Sequence, residues 1–230
     1  MKNKKVTSAA QAVQEIFDGA TVLIGGFGKA GIPVLLVDAL CERGLRGLTI
    51  AHNNSGHERS GIARLIDLGC VAKVITNFPV GKKSFVFAER LEAGTIELEL
   101  VPQGTMAERM RAAGAGLGGF LTPTGVGTDI ARGKQVITLD GREYLLERPL
   151  HADFALVRAD CVDPRGNLTY RMAARNFNPV IAMAAKKAIV QANREVALGE
   201  LNPEAIVTPG LYVDRYFVAT PPDARTPNTF

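Results

Sequence analysis

The order of apolar runs and helical segments along the chain most constrains its fold. Short apolar runs at Thr21–Ile24, Leu48–Ala51 and Lys73–Thr76 have the composition of buried strands, and segments with helical periodicity stand between them. Strands that alternate with helices are typical of a parallel sheet. The sequence therefore predicts an α/β fold, with a mostly parallel open sheet flanked by helices. It also predicts a single domain over residues 1–220, followed by a loose C-terminal tail at 221–230.

Several segments outside this pattern carry their own expectations. Ser8–Phe17 and Val180–Lys187 have helical periodicity. Ile96–Val101 alternates apolar and acidic residues, which is typical of a strand near the edge of a sheet. Val136–Leu139 and Glu143–Leu146 are separated by an Asp-Gly dipeptide, so a small β-hairpin is expected there.

Composition and charge exclude several classes of protein. The net charge is only +4 and no Lys/Arg block is present, so nucleic-acid binding is not expected. Cys41, Cys70 and Cys161 are scattered and odd in number, which favours a reducing compartment over disulfides. Cysteine and histidine spacing offers no zinc site. The longest uncharged stretch, 112–128, is too short and too rich in glycine to span a membrane. We expect a cytoplasmic protein.

The sharpest local feature is a glycine loop between a predicted strand and a predicted helix. Gly26, Gly28 and Gly31 fit the spacing G-x-G-x-x-G of dinucleotide-binding loops, where bare backbone N–H groups can meet an anion. An NAD site also needs an acidic residue about 20 positions later. The next strand ends instead at His52 and Asn53, which disfavours NAD. A tight turn without a ligand, or a different ligand on the bare backbone, remains open.

Two further polar loops also follow predicted strands. These are 53–56, which contains Asn53 and Asn54, and 102–105, which contains Gln103. Ligands bind beyond the carboxyl ends of parallel strands, so these loops and the glycine loop should share one edge of the sheet. They supply amides and backbone N–H groups, which suit an oxyanion better than proton transfer. Ordinary turn chemistry is the alternative for the asparagines, and a surface turn is the alternative for the glutamine.

None of these three predicted loops supplies a recognisable nucleophile. The sequence has no G-x-S-x-G elbow, and His52 and His57 are more readily explained as polar loop residues than as bases. The chain is therefore either a binding module or half of an enzyme's active site. A stand-alone protein that binds a nucleotide or a sugar phosphate stays open as one alternative.

Five ordered motifs resemble one family. The chain resembles the A (α) subunit of the family I coenzyme A transferases, the 3-oxoacid CoA-transferases, over nearly its whole length. The motifs are 18–27 followed by Gly31 and Pro33, then 53–56, 102–109, 122–125 and 174–177.

The resemblance implies a function and a partner. It implies ping-pong transfer of CoA from an acyl-CoA to a 3-oxo acid, through a glutamate on a separate B (β) subunit. Coenzyme A is then a substrate, no metal is required, and Gln103 is a side-chain donor to the oxyanion. The residues implied at the CoA face are Gly25, Gly26, Phe27, Gly28, Lys29, Ala30, Gly31, Asn53 and Asn54.

Different segments of the chain resemble family members that act on different acceptor acids. Residues 77–79 and 84–87 resemble members that act on 3-oxoadipate in aromatic breakdown, with succinyl-CoA as donor. Residues 117–121 and 145–150 resemble the acetate–acetoacetate type. Lys29 departs from the neutral residue common in the family. It is expected either to contact a substrate anion or to point to solvent. We expect 3-oxoadipate as the acceptor.

Overall fold

The computed structural model describes residues 3–81 and 83–219. This part of the chain contains eleven strands and six α-helices. The predicted tail at 221–230 lies outside these residues. The strands are β1 Thr21–Ile24, β2 Leu48–Ala51, β3 Val71–Thr76, β4 Glu97–Leu100, β5 Phe120–Thr122, β6 Val136–Leu139, β7 Arg142–Glu147, β8 Ala152–Val162, β9 Leu168–Thr169, β10 Ala185–Glu195 and β11 Arg215–Val218. The helices are α1 Ala9–Val13, α2 Val34–Glu42, α3 Ile62–Asp67, α4 Phe85–Glu92, α5 Gln103–Gly114 and α6 Asn178–Ala184.

The main sheet has the order β11-β10-β8-β1-β2-β3-β4, and every neighbouring pair on this path is parallel. The short β9 pairs antiparallel with β8. Strand order runs outward from β1 to β4 and then returns to the other side of β1 at β8. The loops that follow β1 and β8 therefore diverge at a topological switch point, where α/β proteins commonly bind ligands.

Helices cover both faces of this sheet. Buried residues of α1, α2, α3 and α4 form one apolar cluster, and buried residues of α5 and α6 form a second cluster on the other face. The predicted α/β class, with a mostly parallel sheet flanked by helices, is confirmed. The predicted hairpin is also present, as β6 and β7, which join β5 in a separate antiparallel sheet.

Two helix boundaries differ from the sequence expectation, whereas the predicted position of the edge strand is confirmed. The helix predicted over Ser8–Phe17 begins at its Ser8 cap but ends at Val13. The helix predicted over Val180–Lys187 ends at Ala184, because the residues from Ala185 onward pair with β8. Sheet pairing here overrides local helix propensity. The predicted edge strand is β4, which is the last strand of the sheet.

Candidate active-site edge

The loops after β1 and β2 enclose a cavity of about 300 Å³ at the carboxyl edge of the sheet. Gly28, Lys29 and Asn54 are the predicted site residues that line it. The other lining residues are Ile32, Val34, Asp38, His52, Gly56, His57, Ser60, Gly61 and Ile62. Two of the loops predicted from the sequence thus surround one cavity beside the switch point.

The glycine loop is a tight turn whose tip reaches this cavity. Phe27 and Ala30 exchange two backbone hydrogen bonds of 3.0 Å, which leaves Gly28 and Lys29 at the tip. Gly28 has φ +59°, a left-handed conformation that favours glycine. The Lys29 side chain is exposed at the cavity, so its amine is open to solvent and to a bound ligand.

Other glycines of the loop are required by protein neighbours. A methyl group at Gly31 would lie 2.5 Å from the carbonyl oxygen of Ala174, and one at Gly25 would overlap the side-chain oxygen of Asn178. One at Gly26 would lie 3.0 Å from Cε1 of His52. Close packing inside the chain therefore accounts for these three glycines. The family resemblance implies that they lie at the CoA face, and a tight turn without a ligand is the alternative that the sequence leaves open.

Two asparagines before and at the start of α6 hold the glycine loop. The Asn178 side-chain oxygen accepts from the backbone N–H of Arg158 at 2.8 Å, and its amide donates to the carbonyl of Gly31 at 3.0 Å. Asn176 accepts from the N–H of Gly26 at 3.1 Å and donates to the carbonyl of Ala30 at 3.1 Å. Sequence reasoning missed these positioning roles. Its only signal was that 174–177 matches a family motif.

Asn53 and Asn54 are both buried, but they face different partners. The Asn53 amide donates to the side-chain oxygen of Asn77 at 2.8 Å, which ties the loop after β2 to the loop after β3. The Asn54 side-chain oxygen accepts from the N–H of Gly56 at 2.8 Å and forms a local turn. Of the two, Asn54 is the one that lines the cavity.

His52 lies in the loop that begins directly after β2, as the sequence predicts. It is nevertheless only 1% exposed, so the side chain belongs to the interior. Its Nδ1 lies 2.8 Å from the carbonyl oxygen of Ile24 at the end of β1. Burial lowers the pKa of its imidazole to about 4, so the ring is neutral at pH 7.

Gln103 stands apart from the cavity. It is the first residue of α5, is exposed, and does not occur among the described residues that line the cavity. It follows β4, so it lies at the same carboxyl edge of the sheet. The first turn of α5 is connected to the cavity loops, because the Asn77 amide lies 3.5 Å from the sulfur of Met106. Arg109 pairs with Glu99 of β4 at 2.7 Å and fixes the helix to its strand.

Acidic side chains around the cavity are engaged in ion pairs. Asp38, the carboxylate among the described lining residues, lies 3.9 Å from Arg64. Glu58, which follows His57, pairs with Lys83 at 2.8 Å. Within the described residues, no cluster of three or more acidic, cysteine or histidine side chains could hold a metal ion. None of the helices described is long and apolar enough to cross a membrane.

Residues 6–219 match the sequence profile of the family described as coenzyme A transferase. The chain therefore belongs to the coenzyme A transferase family. It is 55% identical to a relative from Pseudomonas putida that is named as the A chain of 3-oxoadipate CoA-transferase, over 94% of this chain and 93% of that protein. It is 48% identical to the α chain of acetate CoA-transferase from Escherichia coli K12, over 95% and 98% respectively.

The fold also matches solved structures. An acyl-CoA transferase from E. coli O157:H7, solved as a thioester complex with CoA, superposes with a TM-score of 0.82 at 22% identity. The match covers 98% of this chain and 49% of that one, so the present chain corresponds to about half of the longer protein.

Proposed function

We propose that the chain is the A (α) component of a heteromeric 3-oxoacid CoA-transferase that moves CoA from succinyl-CoA to 3-oxoadipate. The observation that carries this proposal is the composition of the cavity edge. It offers amides, bare backbone and a neutral imidazole, and the carboxylate among its described lining residues is engaged with Arg64. Such an edge can bind and polarise a thioester but needs a nucleophile from elsewhere.

The missing nucleophile is a glutamate of the B subunit in this proposal. Its carboxylate attacks the thioester carbonyl, which forms an acyl–glutamyl anhydride and expels the CoA thiolate. The thiolate then attacks the glutamyl carbonyl, which forms a glutamyl–CoA thioester and releases succinate. The acceptor acid takes up CoA by the same two steps in reverse. Each step passes through a tetrahedral oxyanion, and the exposed side-chain amide of Gln103 donates to it once the two subunits meet.

The glycine loop supports this chemistry in two ways. Gly28 and Lys29 meet the acyl-CoA at the cavity, together with Asn54. The remaining proposed residues, Gly25, Gly26, Phe27, Ala30, Gly31 and Asn53, shape the loops that carry them. Their fixed positions reduce the entropy lost when the substrate is oriented.

Reconstitution with a B subunit tests the assignment. The two chains are purified separately, mixed, and assayed for formation of 3-oxoadipyl-CoA from succinyl-CoA. The mixture is expected to be active and each chain alone inactive. High activity of this chain alone would contradict the divided active site. A monomer that binds a nucleotide or sugar phosphate without any partner would favour the stand-alone binding protein instead.

The same assay distinguishes the acceptor. The higher identity to the 3-oxoadipate relative supports 3-oxoadipate over acetate or acetoacetate. We expect kcat/KM for 3-oxoadipate to exceed that for acetoacetate and for acetate. The reverse order would assign the chain to the acetate–acetoacetate type while leaving the CoA-transferase activity in place.

A further inference from the structure

His52 lines the cavity, and its ring carries a hydrogen-bond acceptor that no described residue uses. Its Nδ1 lies 2.8 Å from the carbonyl oxygen of Ile24, and a carbonyl can only accept, so the ring proton is on Nδ1. Nε2 therefore carries a lone pair. Nε2 is buried and has no hydrogen-bond partner among the described residues. His52 itself is one of the residues that line the cavity.

An unpaired buried acceptor lowers the stability of a folded chain. The arrangement around His52 nevertheless fixes the ring in this state. The bond to Ile24 sets its tautomer, and Gly26 packs closely beside the ring, since a methyl group there would lie 2.5 Å from Cγ1 of Ile32 and 3.0 Å from Cε1 of His52. The ring is therefore held ready for a donor that the described part of the chain does not supply.

The electrostatics of the ring define which ligand group suits it. Burial lowers the pKa of the imidazole, and the nearby His57 lowers it further, so no positive charge is available at pH 7. A neutral acceptor attracts an N–H or O–H group and repels a carboxylate. The cavity wall at His52 thus favours an uncharged donor of the ligand over its acid groups.

We propose that Nε2 of His52 accepts a hydrogen bond from an uncharged N–H or O–H group of the substrate and selects for substrates that carry a donor there. This inference rests on the proposed CoA-transferase function. Two parts of the reactants carry such a group, namely the amides of the pantetheine arm of CoA and the enol form of the 3-oxo acid. The shared chemistry is the neutral donor, and kinetics with each substrate separates the two sources.

Two substitutions separate the two ring nitrogens. His52→Asn keeps an amide donor near the position of Nδ1, where it can still reach the Ile24 carbonyl, and removes the acceptor at Nε2. His52→Gln extends an amide oxygen toward the position of Nε2 and gives up the bond to Ile24. Both variants replace a buried ring with a smaller side chain, so each should melt somewhat below the wild type, and thermal unfolding of both shows that they fold.

Steady-state kinetics of the assembled enzyme is the deciding measurement. We expect His52→Asn to raise one KM by about three- to tenfold, the value of one neutral hydrogen bond, and His52→Gln to restore it. A rise confined to succinyl-CoA identifies the pantetheine amides, and a rise confined to 3-oxoadipate identifies the acid. If His52→Asn changes KM by less than about threefold for both substrates, the proposed contact is refuted.

The outcome is distinguishable from failure of the proposed function. If the two wild-type chains form no active enzyme with any acyl-CoA, the function itself fails. If the wild type is active and His52→Asn matches it with both substrates, only the role of His52 fails. Direct binding of CoA to the wild-type assembly and to both variants, measured by calorimetry, provides a readout that does not depend on turnover.

Discussion

The two ends of the candidate active-site edge are built differently. Around the loops after β1 and β2, side chains are buried and bonded within the chain, as with Asn178, which joins Arg158 to the glycine loop. At the start of α5, Gln103 is exposed and does not line the cavity. The first region is preorganised by contacts that this chain supplies alone. The second presents a functional group whose counterpart, in our proposal, comes from the B subunit.

This difference predicts two classes of variant. Changes at the buried end should alter the free energy of unfolding of the isolated chain, because they leave buried polar groups without partners. Changes at the exposed end should leave the isolated chain intact and appear only in the turnover of the assembled enzyme.

Gln103→Ala should give the largest effect. Loss of one oxyanion donor is expected to reduce turnover of the assembled enzyme by roughly 10²–10³-fold, or about 3–4 kcal/mol of barrier. The free energy of unfolding of the isolated chain should change by less than about 0.5 kcal/mol, because the side chain is exposed. Both are measured, by steady-state kinetics and by urea unfolding respectively.

A matched control for Gln103→Ala is Gln135→Ala, since Gln135 is an exposed glutamine outside the loops around the cavity. It should leave both turnover and stability unchanged. If Gln103→Ala lowers turnover by less than about threefold, Gln103 is not the oxyanion donor. An equal loss of turnover in Gln103→Ala and Gln135→Ala would indicate an effect on assembly.

The second prediction concerns pH and the buried end. An imidazole has a pKa near 6.5 in the unfolded chain, whereas burial lowers the pKa of His52 to about 4 in the folded chain. Between these values the unfolded state binds the additional proton, so stability falls as pH falls from 6.5 to 4. The loss attributable to His52 is about 3 kcal/mol.

His52→Asn isolates this contribution. The variant cannot titrate in this range, so its free energy of unfolding should fall less between pH 7 and pH 4 than that of the wild type. Glu15, whose pKa is lowered to about 2 by Lys187 and Arg215, loses its contribution mainly below pH 4.5 in both chains. Parallel curves of unfolding free energy against pH would show that His52 does not titrate as a buried group.

The contrast between the two regions also explains what the sequence could predict. The bounds of β1 and β2 follow from their short apolar runs, and the sequence predicts them to the residue. The position of β4 at the sheet edge follows from the alternation of Glu97 and Glu99 with apolar residues. Each of these features depends on local composition and periodicity.

The buried end of the site depends on contacts between distant parts of the chain. Gly26 and Asn176 are separated by 150 positions and are brought together by the tertiary fold, in which β8 lies beside β1. His52 lies in a polar loop, and its hydrogen-bond partner is a carbonyl of β1 that lies 28 positions earlier. A local pattern cannot show such contacts. The sequence therefore leaves open whether the glycines meet a ligand or only form a tight turn, and it does not predict the burial of His52.

Gly25→Ala should produce the third effect. The added methyl group would overlap the side-chain oxygen of Asn178, which must then give up its bonds to Arg158 and Gly31. We expect a loss of about 1–3 kcal/mol in the free energy of unfolding, measured by urea denaturation of the isolated chain. Gly118→Ala is the control, because Gly118 is exposed and no atom would lie within 4 Å of its new methyl group. Equal stability of the two variants would contradict the packing role.

Gly28→Val should destabilise the chain less than Gly25→Ala does, and for a different reason. Gly28 has φ +59°, so a β-branched residue is strained there by its backbone, at a cost of about 1–2 kcal/mol. Asparagine tolerates this conformation, so the loss of stability in Gly28→Asn, measured by thermal unfolding, should be less than half of that in Gly28→Val. Because Gly28 lines the cavity, we expect both substitutions to weaken CoA binding by the assembled enzyme.

We expect both Gly28→Val and Gly28→Asn to weaken CoA binding, and mainly Gly28→Val to lower stability. This result would show that the ligand contact and the backbone conformation at Gly28 are separate requirements. Gly25 is needed for a protein neighbour, whereas Gly28 is needed for backbone conformation and for the ligand. Normal folding and normal CoA binding of Gly28→Val would show instead that position 28 requires glycine neither for its backbone conformation nor for the ligand.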